Sequence, residues 1–272
     1  MKVKEYPPSL ARMIYLNSLN AAELHGSSRE NELPVIVSLT SIESRLKCVH
    51  LAVRSVLRQS QPPKKIILWL GHECEKKIPE KLHRLQGQRF EIRFRPDVGP
   101  HTKLIYCLKE HPSETIVTCD DDLMYPQGWL QSLYHAHRKN PDEIVGHQCR
   151  RIRYSEARSP APYRQWTYEA PDCSDKYTMP LGYGGVLYPP HSLSEMSTSS
   201  DLFLKLSPKA DDLWFKAMSL LAGTSSRKTM KTERKPYPIP FSQGVALKKS
   251  NVREDANRDQ WMELAEHFDL HP

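Results

Sequence analysis

Thr115-Ile116-Val117-Thr118-Cys119-Asp120-Asp121-Asp122-Leu123-Met124-Tyr125-Pro126 is the stretch on which the reading of this chain turns. The run Ile116, Val117, Thr118 suits a short buried strand. It stops on three consecutive aspartates. Adjacent carboxylates repel one another unless a cation lies between them. In an open α/β sheet, ligands collect outside the carboxyl ends of the strands. The run therefore predicts a strand-end site for a hard divalent cation, Mg²⁺ or Mn²⁺, that shares phosphate oxygens. An exposed acidic turn is the alternative reading of the run alone.

Working outward, Pro126 opens a predicted helix over 127–140 that carries Trp129, Leu130, Leu133 and Tyr134, and 144–149 reads as a strand. Upstream, a helix starts near His101 with Leu104, Ile105 and Leu108 inward. Lys103 falls in its first turn, where the helix dipole disfavours a cation. An anionic ligand would account for it there; a solvated lysine is the alternative. Further back, 35–39 is an apolar strand closed by Thr40 and Ser41. A helix over 43–59 follows, with Leu46, Val49, Val53, Val56 and Leu57 at helical spacing and Arg45 off that face. Residues 65–70 and 90–94 read as strands, with a short helix at 80–85 between them. The alternation predicts a doubly wound α/β sheet with right-handed crossovers.

Beyond 150 the texture changes. Residues 150–180 hold Arg150, Arg151, Arg153, Arg158 and Arg164 among prolines and aromatics, the pattern of an ordered excursion or lid. Gly182-Tyr183-Gly184-Gly185 precedes a strand at 186–188, and either lets a backbone approach a ligand or makes a tight turn. Residues 192–200 read as a polar loop. Asp211 and Asp212 open a helix to about 222, a placement that capping and the dipole also favour. The basic stretch 223–241, with Arg227, Lys228, Lys231, Arg234 and Lys235, reads as a surface loop or a phosphate or anionic-lipid contact. A short amphipathic helix with Trp261, Leu264, Ala265 and Phe268 closes the chain. At the other end, Leu10, Met13, Ile14, Leu16 and Leu19 form a loose apolar helix face, which packs on the body or lies on a membrane surface. Residues 26–28 read as a linker. The expected division is an N-terminal helical arm at 1–32, a catalytic domain at 33–222, and a basic loop and helix at 223–272 packed on it.

With 272 residues, 39% hydrophobic and 26% charged, the chain can bury a core. Its net charge of +7 suits nucleic acid, anionic headgroups or phosphorylated substrates. The sequence holds no zinc-finger spacing, RNP-like motif or recognition-helix signature, so no nucleic-acid partner is expected. Cys48, Cys74, Cys107, Cys119, Cys149 and Cys173 form no C-x-x-C pair, which argues against structural zinc and for reduced thiols. No apolar leader opens the chain and no stretch approaches the ~20 apolar residues of a span. A cytoplasmic protein, soluble or peripheral on the inner face of the membrane, is expected.

The Asp triplet, the Gly-rich loop and the acidic helix start, in that order, resemble the GT-A glycosyltransferases, specifically the family 2-like enzymes of bacterial polysaccharide, lipopolysaccharide and capsule biosynthesis. Two segments carry the resemblance best: Val35 to Ser41 through Ser55-Val56-Leu57-Arg58-Gln59-Ser60 and Pro63 to Leu70, and Val98-Gly99-Pro100-His101-Thr102-Lys103 into the triplet. It implies a mixed, mostly parallel central sheet flanked by helices. It implies a nucleotide-sugar donor, a UDP-sugar, and a glycan or lipid-linked glycan acceptor. Thr40, Ser41, Arg45, Lys103, Asp120, Asp121, Gly184 and Gly185 would contact the nucleotide sugar, with the two glycines in the loop that admits sugar and acceptor. Asp122 and Asp120 would hold Mn²⁺ or Mg²⁺. Asp212, or Asp211, would be the base; the family's usual pair is Glu-Asp, here Asp-Asp. A third metal ligand is not evident, His267 and Asn257 being the candidates.

These residue types suit direct in-line displacement of a nucleoside diphosphate. A cation and Lys103 would offset charge on the leaving group, and a single carboxylate would take the acceptor proton, with inversion. Rival readings are a retaining transferase on the same fold, a metal-dependent nucleotidyltransferase or phosphohydrolase, and a non-catalytic nucleotide-sugar-binding protein.

Overall fold

The computed structural model describes residues 3–26, 31–230, 235–240, 242 and 255–270. The strands are β1 (Leu33–Thr40), β2 (Pro63–Leu70), β3 (Phe90–Phe94), β4 (Ile116–Thr118), β5 (Leu123–Met124), β6 (Ile144–Gly146), β7 (Cys149–Arg151), β8 (Ser174–Asp175), β9 (Thr178–Pro180), β10 (Val186–Tyr188), β11 (Ser226–Lys228) and β12 (Tyr237–Pro238). The α-helices are α1 (Tyr6–Ser18), α2 (Ala21–His25), α3 (Leu46–Leu57), α4 (Glu80–His83), α5 (Thr102–Glu110), α6 (Trp129–Lys139), α7 (Ser200–Leu206), α8 (Asp211–Leu221) and α9 (Ala256–Phe268).

β1 and β2 are near-continuous apolar runs because both their faces are covered. Their alternate residues point to opposite layers. Val35, Val37 and Leu39 join Ile66 and Leu68 beneath α1, α3 and α6. Ile36, Ile67 and Trp69 lie on the other face with α5, α7, α8 and α9. The sheet order is β3-β2-β1-β4-β10-β6-β11-β8. β3, β2, β1 and β4 run parallel, while β10 is antiparallel to both β4 and β6. This mainly parallel sheet with helices on both faces is the expected GT-A arrangement.

Two consequences of this order build the site. The strand order reverses between β1 and β4, so the loop after Thr40 lies beside the aspartates that follow Thr118. Because β10 is antiparallel, its first residue, Val186, pairs with Thr118 at the end of β4. That brings the glycine loop to the same edge.

Several elements differ from expectation. The strand expected over 144–149 breaks at His147 and Gln148, so β6 stays in the main sheet and β7 pairs with β9. The expected polar loop at 192–200 is a short helical turn leading into α7. The expected surface loop after 223 contributes β11 to the main sheet beside β6. Two of its cations are spoken for: Arg227 pairs with Glu143 and Asp172, and Lys228 Nζ donates to the Glu169 carbonyl. Lys231, Arg234, residues 27–28 and the first residues of the expected C-terminal helix, 251–254, lie outside the described residues. On α1 the expected apolar face splits, with Leu16 and Leu19 buried but Leu10 and Ile14 exposed. The six cysteines are unpaired thiols, four of them buried.

Candidate active site

β4 delivers Asp120, Asp121 and Asp122 to the sheet edge, and α8 delivers Asp211 and Asp212 from its first turn, where the helix dipole favours carboxylates. Lys103, in the first turn of α5, joins the two groups. Its Nζ is 2.9 Å from Asp120 Oδ1 and 3.0 Å from Asp211 Oδ2, and its side chain is only 9% exposed. A buried ammonium is costly unless paired. Despite its burial, the three carboxylates around it, Asp120 first, hold the Lys103 ammonium well above the usual lysine range. The helix-start lysine is thus an internal counter-ion between two acidic elements rather than a side chain open to phosphates.

The triplet divides its labour. Asp121 is 5% exposed and turned inward, accepting from Ser41 Oγ at 2.5 Å and Arg45 Nη1 at 2.7 Å. Arg45 also reaches Asp122 at 3.4 Å. Ser41, Arg45 and Asp121 therefore brace the loop after β1 against the loop after β4. Thr40 Oγ1 donates to the Trp69 carbonyl, and is likewise engaged. Asp120 is the most open of the three, with 29% of its side chain exposed; its backbone amide donates to Tyr125 Oη at 2.8 Å. Burial, then Asp120 and Asp121, push the Asp122 carboxyl up to about 7.

Asp212 Oδ1 accepts the Gly182 amide at 2.9 Å. Burial, then the neighbouring Asp211, raise the Asp212 carboxyl far above the ordinary carboxylate range. A raised pKa suits a general base, which works best near ambient pH.

The glycine loop is used differently from what its sequence suggests. Gly184 and Gly185 are required by packing. The Gly184 carbonyl accepts Trp129 Nε1 at 2.7 Å, and a Cβ there would lie 2.8 Å from Gln148 Cγ. Gly185 has φ +94°, and its Cβ would enter the Trp129 ring at 2.5 Å. Gly182 is the glycine at the acidic centre: its Cβ would lie 2.9 Å from Asp212 Oδ1, 3.0 Å from Lys103 Nζ and 3.8 Å from Asp120 Oδ1. Sequence reasoning passed it over, although it is the first glycine of the same run. Tyr125 and Tyr188 were missed too. Tyr188 is buried beside Asp211 and Asp212, and its partner Thr118 is the last residue of β4.

The family model described as Glycosyl transferase family 2 matches residues 42–195, over half of the chain. The chain belongs to glycosyl transferase family 2. This glycosyltransferase has no significant match among curated protein sequences. Among solved structures it is similar to S. aureus TarS (residues 1–349), at 14% identity and a TM-score of 0.51, covering 87% of this chain and 72% of that one. That likeness is one of fold. Weaker likenesses are to 4-diphosphocytidyl-2C-methyl-D-erythritol synthase of Anaerococcus prevotii (13% identity, TM-score 0.42, covering 70% of this chain and 80% of that one) and to a CMP:2-keto-3-deoxy-manno-octonic acid synthetase in complex with CTP (9%, 0.44, 72% and 89%). The family match ends ahead of Asp211 and Asp212, so their place in the glycosyltransferase site rests on geometry.

Divalent metals are common in this family, and the donor set allows a test of fit. Five carboxylates share two cations, Lys103 and Arg45, so the edge holds more acids than the protein's own cations neutralise. Among the described residues no three His, Cys, Asp or Glu side chains are arranged to hold an ion by themselves. Asp120 and Asp122 alone fit the mode in which Mg²⁺ takes one or two carboxylates and completes its shell with substrate phosphates and water. The late candidates do not join them. Asn257 bonds the Tyr163 side chain, and His267 is exposed against the Phe268 ring.

Proposed function

We propose that this glycosyltransferase moves a sugar from a UDP-sugar to a hydroxyl of a bacterial surface glycan, with inversion and with Asp212 as base. The observation that carries the reading is the meeting of Asp120, Lys103, Asp211 and Asp212 around Gly182, whose lack of a side chain lets them approach one another. In the reaction the acceptor oxygen forms a bond to the anomeric carbon while the bond to the diphosphate oxygen breaks. The electron pair leaves on the diphosphate, and the acceptor proton passes to Asp212. The Gly182 amide holds the Asp212 carboxylate in place for that transfer. Asp120 and Asp122 would hold Mn²⁺ or Mg²⁺, which when bound would offset charge on the diphosphate. Lys103 bridges Asp120 and Asp211 and fixes both carboxylates in place.

No described helix is long and apolar enough to cross a membrane. A peripheral position on the inner face of the membrane is supported by α1. Its exposed residues Tyr6, Leu10, Ile14 and Tyr15 carry no charge. A lipid-linked acceptor would be reached there.

A donor screen tests the reading. Nucleotide release from UDP-, GDP-, CMP- and dTDP-sugars is followed with Mn²⁺ or with EDTA. Metal-dependent release of UDP from one donor is expected. Release from another nucleotide's sugar overturns the donor assignment, and pyrophosphate release in place of a nucleoside diphosphate overturns the reaction class.

A further inference from the structure

Beside the acidic edge lies a cation without an acid. Arg150, in β7, sits between two rings, 4.8 Å from the Tyr163 centroid and 4.5 Å from the Tyr168 centroid. Its Nη1 donates to the Tyr163 carbonyl at 3.2 Å and the Trp166 carbonyl at 2.8 Å. Among the described residues it pairs with no carboxylate, and its Nε and Nη2 donate to nothing. Its neighbours in the fold are neutralised: Arg151 by Glu169 and Asp175, Arg227 by Glu143 and Asp172. A guanidinium clamped by two rings and anchored by one nitrogen has lost its rotamer freedom, and keeps the planar edge that matches phosphate or carboxylate oxygens.

Its place relative to the chemistry is set by the chain. The Leu181 amide donates to the Gln148 carbonyl at 2.8 Å, which ties the start of the glycine loop to the strand carrying Arg150. Tyr183, in that loop, feels the Arg150 charge and bonds the Tyr168 side chain. Tyr163 in turn feels the charge of Asp212. Gly182, next to Tyr183, donates to Asp212. Tyr163, Tyr168, Tyr183 and Arg150 are therefore one wall adjoining the base, and it opens to solvent at Tyr168, 59% exposed. The start of α9 holds the wall from behind, with Asp255 accepting the Tyr163 amide at 2.8 Å and Arg258 donating to the Pro160 carbonyl at 2.8 Å.

We propose that Arg150 and its tyrosines form an acceptor subsite that selects an anionic acceptor, one bearing a phosphate or a carboxylate near the hydroxyl that is glycosylated. This rests on the transferase reading and deepens it. The tyrosine faces supply the apolar surface against which a sugar ring stacks, and the free guanidinium edge binds the anion. Lys103 and Arg45, consumed by aspartates, cannot serve that role.

The test is calorimetric titration of wild type, Arg150→Gln and Arg150→Lys, each saturated with UDP and Mg²⁺. The ligands are methyl glucoside, methyl glucoside 6-phosphate and methyl glucuronide. Wild type is expected to bind at least one anion tenfold or more tighter than the neutral glucoside, and the better anion tells phosphate from carboxylate. Arg150→Gln should erase that advantage without changing UDP affinity, with only the modest loss of Tm expected from its carbonyl and ring contacts, and Arg150→Lys should keep part of it. Equal binding of all three ligands by wild type, or no binding of either anion, overturns the subsite. So does an Arg150→Gln protein that retains the preference, or one that weakens every ligand and UDP alike with a lowered Tm, which marks a purely structural staple. The anion preference is also read in UDP-free protein. Failure of wild type to bind UDP therefore counts against the donor reading, while the preference still decides the subsite.

Discussion

At the scale of single residues, the acidic edge separates side chains that do chemistry from side chains that hold others. Asp212 is held by one backbone amide and Asp211 by Lys103, so the two carboxylates of one helix turn are not equivalent. Asp212→Asn keeps the size and the Gly182 contact but cannot take a proton. Transfer is expected to fall about 10²–10⁴-fold, with donor affinity within about twofold of wild type; steady-state kinetics and nucleotide titration check both. The glycines make a paired prediction. Gly182→Ala places a methyl between Asp212, Lys103 and Asp120, where the flexible ends of charged side chains give way. Activity should drop by tenfold or more with a small change in Tm. Gly185→Ala drives a methyl into the Trp129 ring at a positive φ. It should destabilise by about 2–4 kcal/mol, read by denaturant unfolding. Comparable effects of both variants on Tm would remove the distinction.

At the scale of elements, α1 is the unusual one. Arg12, its only basic residue, turns inward to the Tyr125 carbonyl, and Arg54 caps its end through the Leu16 and Leu19 carbonyls. Its outer surface exposes Tyr6, Leu10, Ile14 and Tyr15 and no charged side chain. A surface helix normally carries charge on that side. Ile14→Glu, at a position 60% exposed, should leave Tm unchanged within about 1 °C, since an exposed substitution shifts stability by roughly 0.5 kcal/mol or less. Co-sedimentation with anionic lipid vesicles should fall severalfold. Unchanged sedimentation would disconnect α1 from the membrane.

At the scale of the whole molecule, two sets of buried titratable groups oppose each other. His50, His101 and His147 are buried, and desolvation first of all lowers them to about 4, 3 and 4. The unfolded chain binds their protons near pH 6.5 and the folded one does not, so stability drains as pH falls from about 6.5 toward those values. Asp212 acts the other way. Its folded pKa is raised, so its charge weighs on the fold increasingly as pH rises above the ordinary carboxylate range. His101 stacks on Phe203 at 4.2 Å, and His101→Phe keeps a ring there. Relative to wild type, this variant should gain Tm steadily from pH 6.5 to pH 5. Asp212→Asn should gain on wild type from pH 5 to about pH 8. Scanning calorimetry across pH reads both slopes, and a flat difference in either case refutes the assignment.

How much was legible follows the range of the forces involved. The alternation of strands and helices, the triplet at a strand end and the acids at a helix start are local patterns, set by apolar periodicity and turn residues, and they were readable in the bare chain. What 144–149 and 223–241 would do was not. Whether a short apolar run stays in one sheet, or a basic stretch becomes its strand, depends on partners far away in sequence: β11 pairs with β6 about 80 residues earlier. The division of the aspartates was equally hidden. Asp120, Asp121 and Asp122 are identical as letters; Ser41 and Arg45 reach across the reversal of strand order to claim Asp121, and Lys103 reaches Asp120. By itself the sequence determined that carboxylates would crowd one sheet edge. Only the tertiary structure decided which were neutralised there, because counter-ions are assigned by distance in space.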